Sequence, residues 1–471
     1  MPKIWDVAVL GSGIVGTSAA YHCAALGYAT IKIDQFDFHH DKGSSHGCSR
    51  ITRIGHVDPA YVPIVRDTHK QIAALEAKRG KQLWINCGII WIGSKTKMEK
   101  VYSSCTAAGC DMQMMSAQEI RTRFPLYRYD DDWCGVYDRT GGAALADRWM
   151  EAYHDEFLLA GGTFLGNTEV VGIERGGDGG VVTLNTSQGE IKAARLIIAA
   201  GTWVNKLLPD MGVKGQPLLM NVCYWRPKDE ETGAHVMDPT NMPVSIIYDK
   251  DDDDREYFAV PPVDHPGAIK FIDNSGGDPF PPGGAPEKCD EIFIRKAREH
   301  VSNHMPAMRP EPVVVERCKY TMSPDGSYVI DFVDGHKNIV VCSMMSGTGF
   351  KMSPGLGRGL AHMVTGHEMP FDLSSFSARR FGVLCNNCQL DLIKTEFMNK
   401  PLGTKFAADY RGKMGACSTR TFVCTGDAAT IDVNNGDYNF AAEPGMTSST
   451  ITLLCNAAGT KWEVFYIQKL T

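Results

Sequence analysis

The chain has 471 residues, 43% hydrophobic and 22% charged, with a formal charge of −7. That length exceeds one ordinary core, so two or three domains are expected. The acidic balance argues against nucleic acid as a partner. No run of about 18 apolar residues is available for a membrane span, so no membrane partner is expected. The first strand-like run starts without a charged region and apolar segment ahead of it, which argues against a secretory signal.

Residues 6–34 carry the strongest local signal. Val7 to Leu10 is a short apolar run, as a buried parallel strand requires. Gly11, Gly13 and Gly16 follow at GxGxxG spacing. The first permits a tight turn, the second lets a pyrophosphate approach the backbone, and the third lets a helix pack closely on the sheet. Thr17 to Leu26 reads as that helix, with Gly27 just past its end. A second strand, Thr30 to Ile33, ends in Asp34, placed to bond a ribose hydroxyl. The unit is a βαβ site for a dinucleotide and does not separate FAD from NAD.

A polar loop follows, Gly43-Ser44-Ser45-His46-Gly47-Cys48-Ser49-Arg50-Ile51-Thr52-Arg53. Tyr61 to Lys78 and Arg148 to Leu159 have helical periodicity, and Trp84 to Ile92 has the alternation of strands. Ser116-Ala-Gln-Glu119 is a capping-box pattern. Thr163 to Ile198 reads as strands and turns. Pro217 to Gly277 reads as strands broken by an acidic run, Asp249 to Glu256, taken as a solvated loop tip and not a metal site. Asp290 to Asn303 is helical, and Tyr328 to Asp331 and Ile339 to Cys342 are strands. A second Gly-rich loop, Ser346 to Pro354, opens a helix from Gly355 to Val364.

Ten of the 15 cysteines are scattered through residues 1–381, as in a reduced intracellular enzyme. Residues 382–471 hold Cys385, Cys388, Cys417, Cys424 and Cys455, a density typical of disulfide-stapled modules in oxidising compartments. The two parts imply opposite locations. Cys385-x-x-Cys388 lacks a second pair at matching spacing, so no metal is expected.

Taken together, the dinucleotide unit, the loop Gly43 to Arg53, Asn221-Val-Cys-Tyr-Trp-Arg226, Cys318-Lys-Tyr320 and Gly347-Thr-Gly349-Phe-Lys351 resemble, in order, the monomeric sarcosine oxidase and L-pipecolate oxidase family of FAD enzymes. The likeness spans roughly residues 5–381, and the Ser-Ser-His-Gly loop leans toward the pipecolate, or peroxisomal sarcosine oxidase, branch. It implies an α/β fold: a Rossmann-like FAD-binding domain of the p-hydroxybenzoate hydroxylase and D-amino-acid oxidase kind (1–85, 142–212 and 318–381), a mixed-sheet substrate domain (86–141 and 213–317), and a small cysteine-rich β-type module (382–471). It implies FAD attached covalently through Cys318. Gly11, Gly13, Gly16, Asp34, Ser45, His46, Gly347 and Gly349 would line the cofactor. Arg50 would lie against the flavin face, and Lys270 near its reacting nitrogen, where it helps oxygen reduction. Arg53 and Lys351 would hold the substrate carboxylate, and Tyr320 would join them.

The reaction so implied is oxidation of a secondary amino acid to an imine, with O₂ reduced to H₂O₂, by a monomer. The alternatives are a flavin dehydrogenase using an electron carrier and a non-catalytic secreted binding module. The location implied is peroxisomal, or else cytoplasmic, since the chain ends Gln468-Lys-Leu-Thr471 without a Ser-Lys-Leu signal. Asn274 and Thr348 depart from the family, each standing where histidine is usual, and bear on the substrate more than on the reaction.

Overall fold

The computed structural model describes residues 3–177, 179–252, 255–280 and 291–381, and beyond these the backbone of six strands between residues 405 and 470. The chain divides into two compact units, Met1–Pro209 with Gly215–Ser375, and Asp210–Lys214 with Phe376–Thr471.

In the first unit a six-stranded sheet runs in the order Thr163–Leu165, Thr30–Ile33, Val7–Leu10, Leu196–Ile198, Ile339–Ser343 and Val329–Phe332. All neighbours are parallel except the last pair. Val7–Leu10 and Thr30–Ile33 are buried at every position, as strands covered on both faces must be. The first helix, Ile14–Ala25, starts directly after Gly13 and not at Thr17. Its early start has a local cause. Gly13 is extended, and Ser45 Oγ from the polar loop accepts the Ile14 amide at 3.1 Å, satisfying a donor that the helix itself leaves open.

Helix Ser353–Thr365 packs along this first helix. The contact is nearly backbone to backbone. A Cβ on Gly357 would lie 2.2 Å from Ser18 Oγ and 2.7 Å from the Ala19 amide nitrogen. The second Gly-rich loop is thereby held against the first.

A nine-stranded mixed sheet forms the other half of this unit. Its strands are Ile89–Ser94, Gln113–Ser116, Trp133–Asp138, Gln216–Trp225, Val244–Tyr248, Glu256–His265, Ala268–Asp273, Asp278–Pro279 and Val314–Met322. Strand alternation sorts its side chains. Tyr257, Ala259, Ile269 and Phe271 pack with Ala297 and Val301 of helix Glu291–His304 in one core. Phe258, Val260, Lys270, Ile272, Cys318 and Tyr320 line a cavity on the opposite face.

In the second unit, strands Lys405–Met414, Cys417–Thr425, Ser448–Cys455 and Trp462–Leu470 form an antiparallel sheet in that order, and Thr430–Val433 pairs with Tyr438–Ala441 in a separate two-stranded sheet. This is the β-type architecture expected. Cys385, Cys388 and the expected disulfide pattern lie outside the described residues. Nine cysteines of the first unit are free thiols.

Gly357→Ala should destabilise the protein by about 1–3 kcal/mol, because neither helix backbone can retreat from an added methyl. Urea unfolding of the variant against the parent measures this.

Candidate active site

A cavity of about 1080 Å³ opens between the dinucleotide turn and the mixed sheet. Gly11, Gly13, Asp34, Ser45, His46 and Arg50 line it, as do Lys270, Cys318, Tyr320, Gly347, Gly349 and Lys351. Gly16 and Arg53 lie outside its lining. Gly16 acts on packing, since a Cβ there would sit 2.0 Å from Gly11 O. Gly11 has φ +105°, and its Cβ would meet Ala199 O at 2.4 Å, so no other residue can make this crossing.

Asp34 braces the turn from below. Its Oδ2 accepts the Ser12 amide at 2.7 Å and the Ser12 hydroxyl at 2.9 Å, and its Oδ1 accepts the Phe36 amide at 3.0 Å. His46 spans the polar loop, with one ring nitrogen 2.7 Å from Gly43 O and the other 2.9 Å from Arg317 O, next to Cys318. Arg50 donates to the carbonyls of Ser49, Ser44 and His46 at 2.7, 3.0 and 2.5 Å, with its guanidinium 5.4 Å from the Phe350 ring centre. Gly347, at φ +77°, carries no Cβ because the Tyr320 ring would be 2.8 Å from it.

Lys270 is buried and fully engaged. Its Nζ donates to Ser49 Oγ at 2.8 Å and Ser49 O at 3.2 Å, and pairs with Asp264 Oδ2 at 3.0 Å. Ser49 Oγ in turn donates to Asp264, and the Cys48 amide donates to its Oδ1 at 3.0 Å. Burial lowers the Lys270 pKa, partly offset by Asp264. Burial alone would raise the Asp264 carboxyl, but the Lys270 charge and the Ser49 and Cys48 bonds outweigh it and hold it low. Asp264 escaped the sequence reading. It stands six residues before Lys270 across an irregular turn of the hairpin, a spacing without alternation to mark it. Cys318 is buried and lines the same cavity as Lys270.

A second polar group gathers behind Tyr320. Tyr320 OH donates to Asn274 Oδ1 at 3.1 Å, and Asn274 Nδ2 donates to Glu256 Oε1 at 2.7 Å. Glu256 therefore does not belong to a solvated loop tip. It opens the strand Glu256–His265, two residues before the cavity-lining Phe258, so alternation puts it on the cavity side. Burial raises its carboxyl, opposed by the Asn274 bond and the charges of Arg53 and Lys351. Burial, reinforced by Arg53, holds the buried Lys351 well below the ordinary lysine range, and Glu256 acts against both. Its Nζ donates to Thr348 O at a long 3.4 Å. Arg53 Nε donates to Gly55 O at 3.1 Å, and its guanidinium lies 5.4 Å from the Trp91 ring centre. Thr348 shares a 2.8 Å hydrogen bond with Tyr328 OH.

A parallel sheet with a glycine turn, facing a mixed sheet across a cavity lined by cations, defines a dinucleotide-dependent oxidoreductase architecture. The chain belongs to the FAD dependent oxidoreductase (DAO) family, which it matches over residues 6–363. A Caenorhabditis elegans protein provisionally named a sarcosine oxidase is 34% identical over 383 residues, covering 81% of this chain and 99% of its own length. The mouse peroxisomal sarcosine oxidase is 30% identical over 389 residues, covering 81% of this chain and 97% of its own. Among solved structures, the open form of NikD, an amino acid oxidase essential for nikkomycin biosynthesis, has the same fold. Its TM-score is 0.67 at 20% identity, over 80% of this chain and 97% of that one.

The residues present fit FAD. Gly13 leaves room at a helix N-terminus for a pyrophosphate, and Ser343 Oγ, on the cavity wall, is buried without a hydrogen-bond partner. The cavity is large enough for a dinucleotide.

Asp264→Asn strips a buried ammonium of its counter-charge and should cost about 3–5 kcal/mol of stability. Adding Lys270→Met to it should recover most of that loss, a double-mutant cycle readable by urea unfolding.

Proposed function

We propose that this chain is an FAD-dependent oxidase of secondary amino acids of the sarcosine or L-pipecolate type. The observation that carries the reading is the set of cations, buried Lys270 and Lys351 with half-buried Arg53, gathered at or near one wall of a cavity that fits the flavin dinucleotide. FAD, which Gly11, Gly13, Ser45 and Cys318 would hold, would supply the redox chemistry that removes a hydride and a proton from the amine to give an imine and delivers both to O₂ as H₂O₂.

The protein's part is orientation and charge. Lys351 offers an ammonium to the substrate carboxylate, and Arg53 reinforces it from behind the wall. A carboxylate arriving there replaces water around two partly uncompensated cations, and this positions the carbon to be oxidised. Tyr320, fixed through Asn274, limits how the substrate turns. Phe258, Val260 and Ile272 supply an apolar wall for the rest of the molecule. Lys270, held on the cavity wall by Asp264 and Ser49, points an N–H donor group at the same wall as Cys318, suited to stabilising negative charge as O₂ is reduced. Arg50 braces the polar loop at the same wall. Cys318 is the proposed point of flavin attachment, and the same relatives support a peroxisomal location.

Lys270→Met should slow reoxidation by O₂ much more than anaerobic flavin reduction, as stopped-flow absorbance of the two half-reactions would record. Equal slowing would refute the role given to Lys270. Acid denaturation of the wild-type protein should leave the yellow colour on the polypeptide, whereas Cys318→Ser should release free flavin into the filtrate.

A further inference from the structure

Tyr320 has one proton to give, and its neighbours decide where that proton goes. Its ring is held against the Gly347 backbone, where a Cβ would lie 2.8 Å from it. Burial raises its pKa, so it stays a neutral phenol with a single O–H. That O–H donates to Asn274 Oδ1 at 3.1 Å. The Asn274 amide cannot turn round. Its Nδ2 donates to Glu256 Oε1 at 2.7 Å, short for an N–H···O bond and typical of an ionised acceptor. The reverse orientation would set the amide oxygen against a carboxylate, which has no hydrogen to give. The backbone holds Glu256 and Asn274 together at the open end of the hairpin of strands Glu256–His265 and Ala268–Asp273. The Asn274 amide donates to Glu256 O at 2.8 Å, and the Glu256 amide donates to Ser275 Oγ at 2.8 Å. Both side-chain donations, from Tyr320 and from Asn274, therefore run toward Glu256.

We propose that Tyr320 reads the substrate nitrogen and not its carboxylate, with Asn274 and Glu256 as the positioning residues that fix this polarity. The Tyr320 proton is committed to Asn274, so a group that bonds the hydroxyl from the cavity must bring a hydrogen of its own. A carboxylate brings none, whereas a secondary amine brings an N–H. The carboxylate is left to Lys351, on the same cavity. Among the described residues its Nζ has one hydrogen bond, the long 3.4 Å contact with Thr348 O, so it has N–H groups to offer. The cavity thus presents an acceptor for the amine and a separate donor for the acid. A tertiary amine has no N–H in the neutral form that is oxidised, and it would forfeit the Tyr320 contact. An amide suits the middle position, because it accepts from Tyr320 on one side and donates to Glu256 on the other.

The inference rests on the oxidase reading above for the class of substrate, and the test separates the two. Pyrrole-2-carboxylate and furan-2-carboxylate are planar anions of nearly the same shape. The ring atom next to the carboxylate-bearing carbon is an N–H donor in the first and an oxygen acceptor in the second. Their Kd values on the holoenzyme, at about pH 7 where both are ionised, are read from perturbation of the visible flavin spectrum without turnover. The wild type should bind the pyrrole acid about tenfold more tightly, one hydrogen bond set against two facing acceptors. Tyr320→Phe should bring the two acids close to parity. Asn274→Leu frees the Tyr320 proton, and Glu256→Gln frees the Asn274 amide to turn, so in each variant the preference should shrink through a gain by the furan acid. A merely structural loss would weaken both acids alike and leave their ratio unchanged. A wild type that binds the two acids equally overturns the proposal, even where no variant folds. A Tyr320→Phe ratio equal to that of the wild type overturns it as well, and unchanged ratios in both Asn274→Leu and Glu256→Gln overturn the part given to those two residues. A protein that shows the preference but oxidises no secondary amino acid upholds the assignment and refutes the oxidase reading. One that oxidises secondary amino acids without the preference does the reverse.

Discussion

The buried ion pair of Lys270 and Asp264, closed over Ser49, is the contact on which the rest of the site depends. Ser49 belongs to the strand Ser49–Thr52, which continues from the polar loop against the first helix. Lys270 and Asp264 belong to the hairpin of the mixed sheet. Two ions out of water are tolerable only with good geometry and every lone pair answered, and here the serine hydroxyl, the serine carbonyl and the Cys48 amide answer them. The loop that carries Arg50 and His46 is thereby fixed to the sheet that carries Cys318 and Tyr320. Loosening this pair would let the two walls of the cavity drift apart.

The same low dielectric governs the second polar group. Arg53 and Lys351 are cations that burial works to discharge, and Glu256 works to keep charged. Asn274 and Thr348, where histidines are usual in the family the sequence resembles, are uncharged side chains that hydrogen-bond Glu256 and Tyr320 in one case and Tyr328 in the other. The local charge is set by fewer groups than a histidine-rich pocket would have.

Much of the fold was legible because its signals are local. Four buried residues, a glycine turn and a helix define the dinucleotide unit within one short stretch, and Ser116 with Glu119 forms the capping box their spacing announces. Residues were misjudged where the deciding contact is remote. Glu256 looks like the end of an acidic run, yet the alternation Glu256, Phe258, Val260 carries it onto the cavity side. The first helix begins three residues early because Ser45, 31 positions away, accepts the Ile14 amide.

By itself the sequence determined the dinucleotide unit, the strand and helix pattern, and the residue types able to carry the chemistry, since each depends on neighbours a few positions apart. Tertiary structure decided which of those residues share a charge environment. It put Asp264 on Lys270, joined Glu256 through Asn274 to Tyr320, and left Arg53 outside the cavity lining. The reason is electrostatic. A buried charge is stabilised or discharged by whatever lies within a few ångströms, and those neighbours come from strands far apart in the chain.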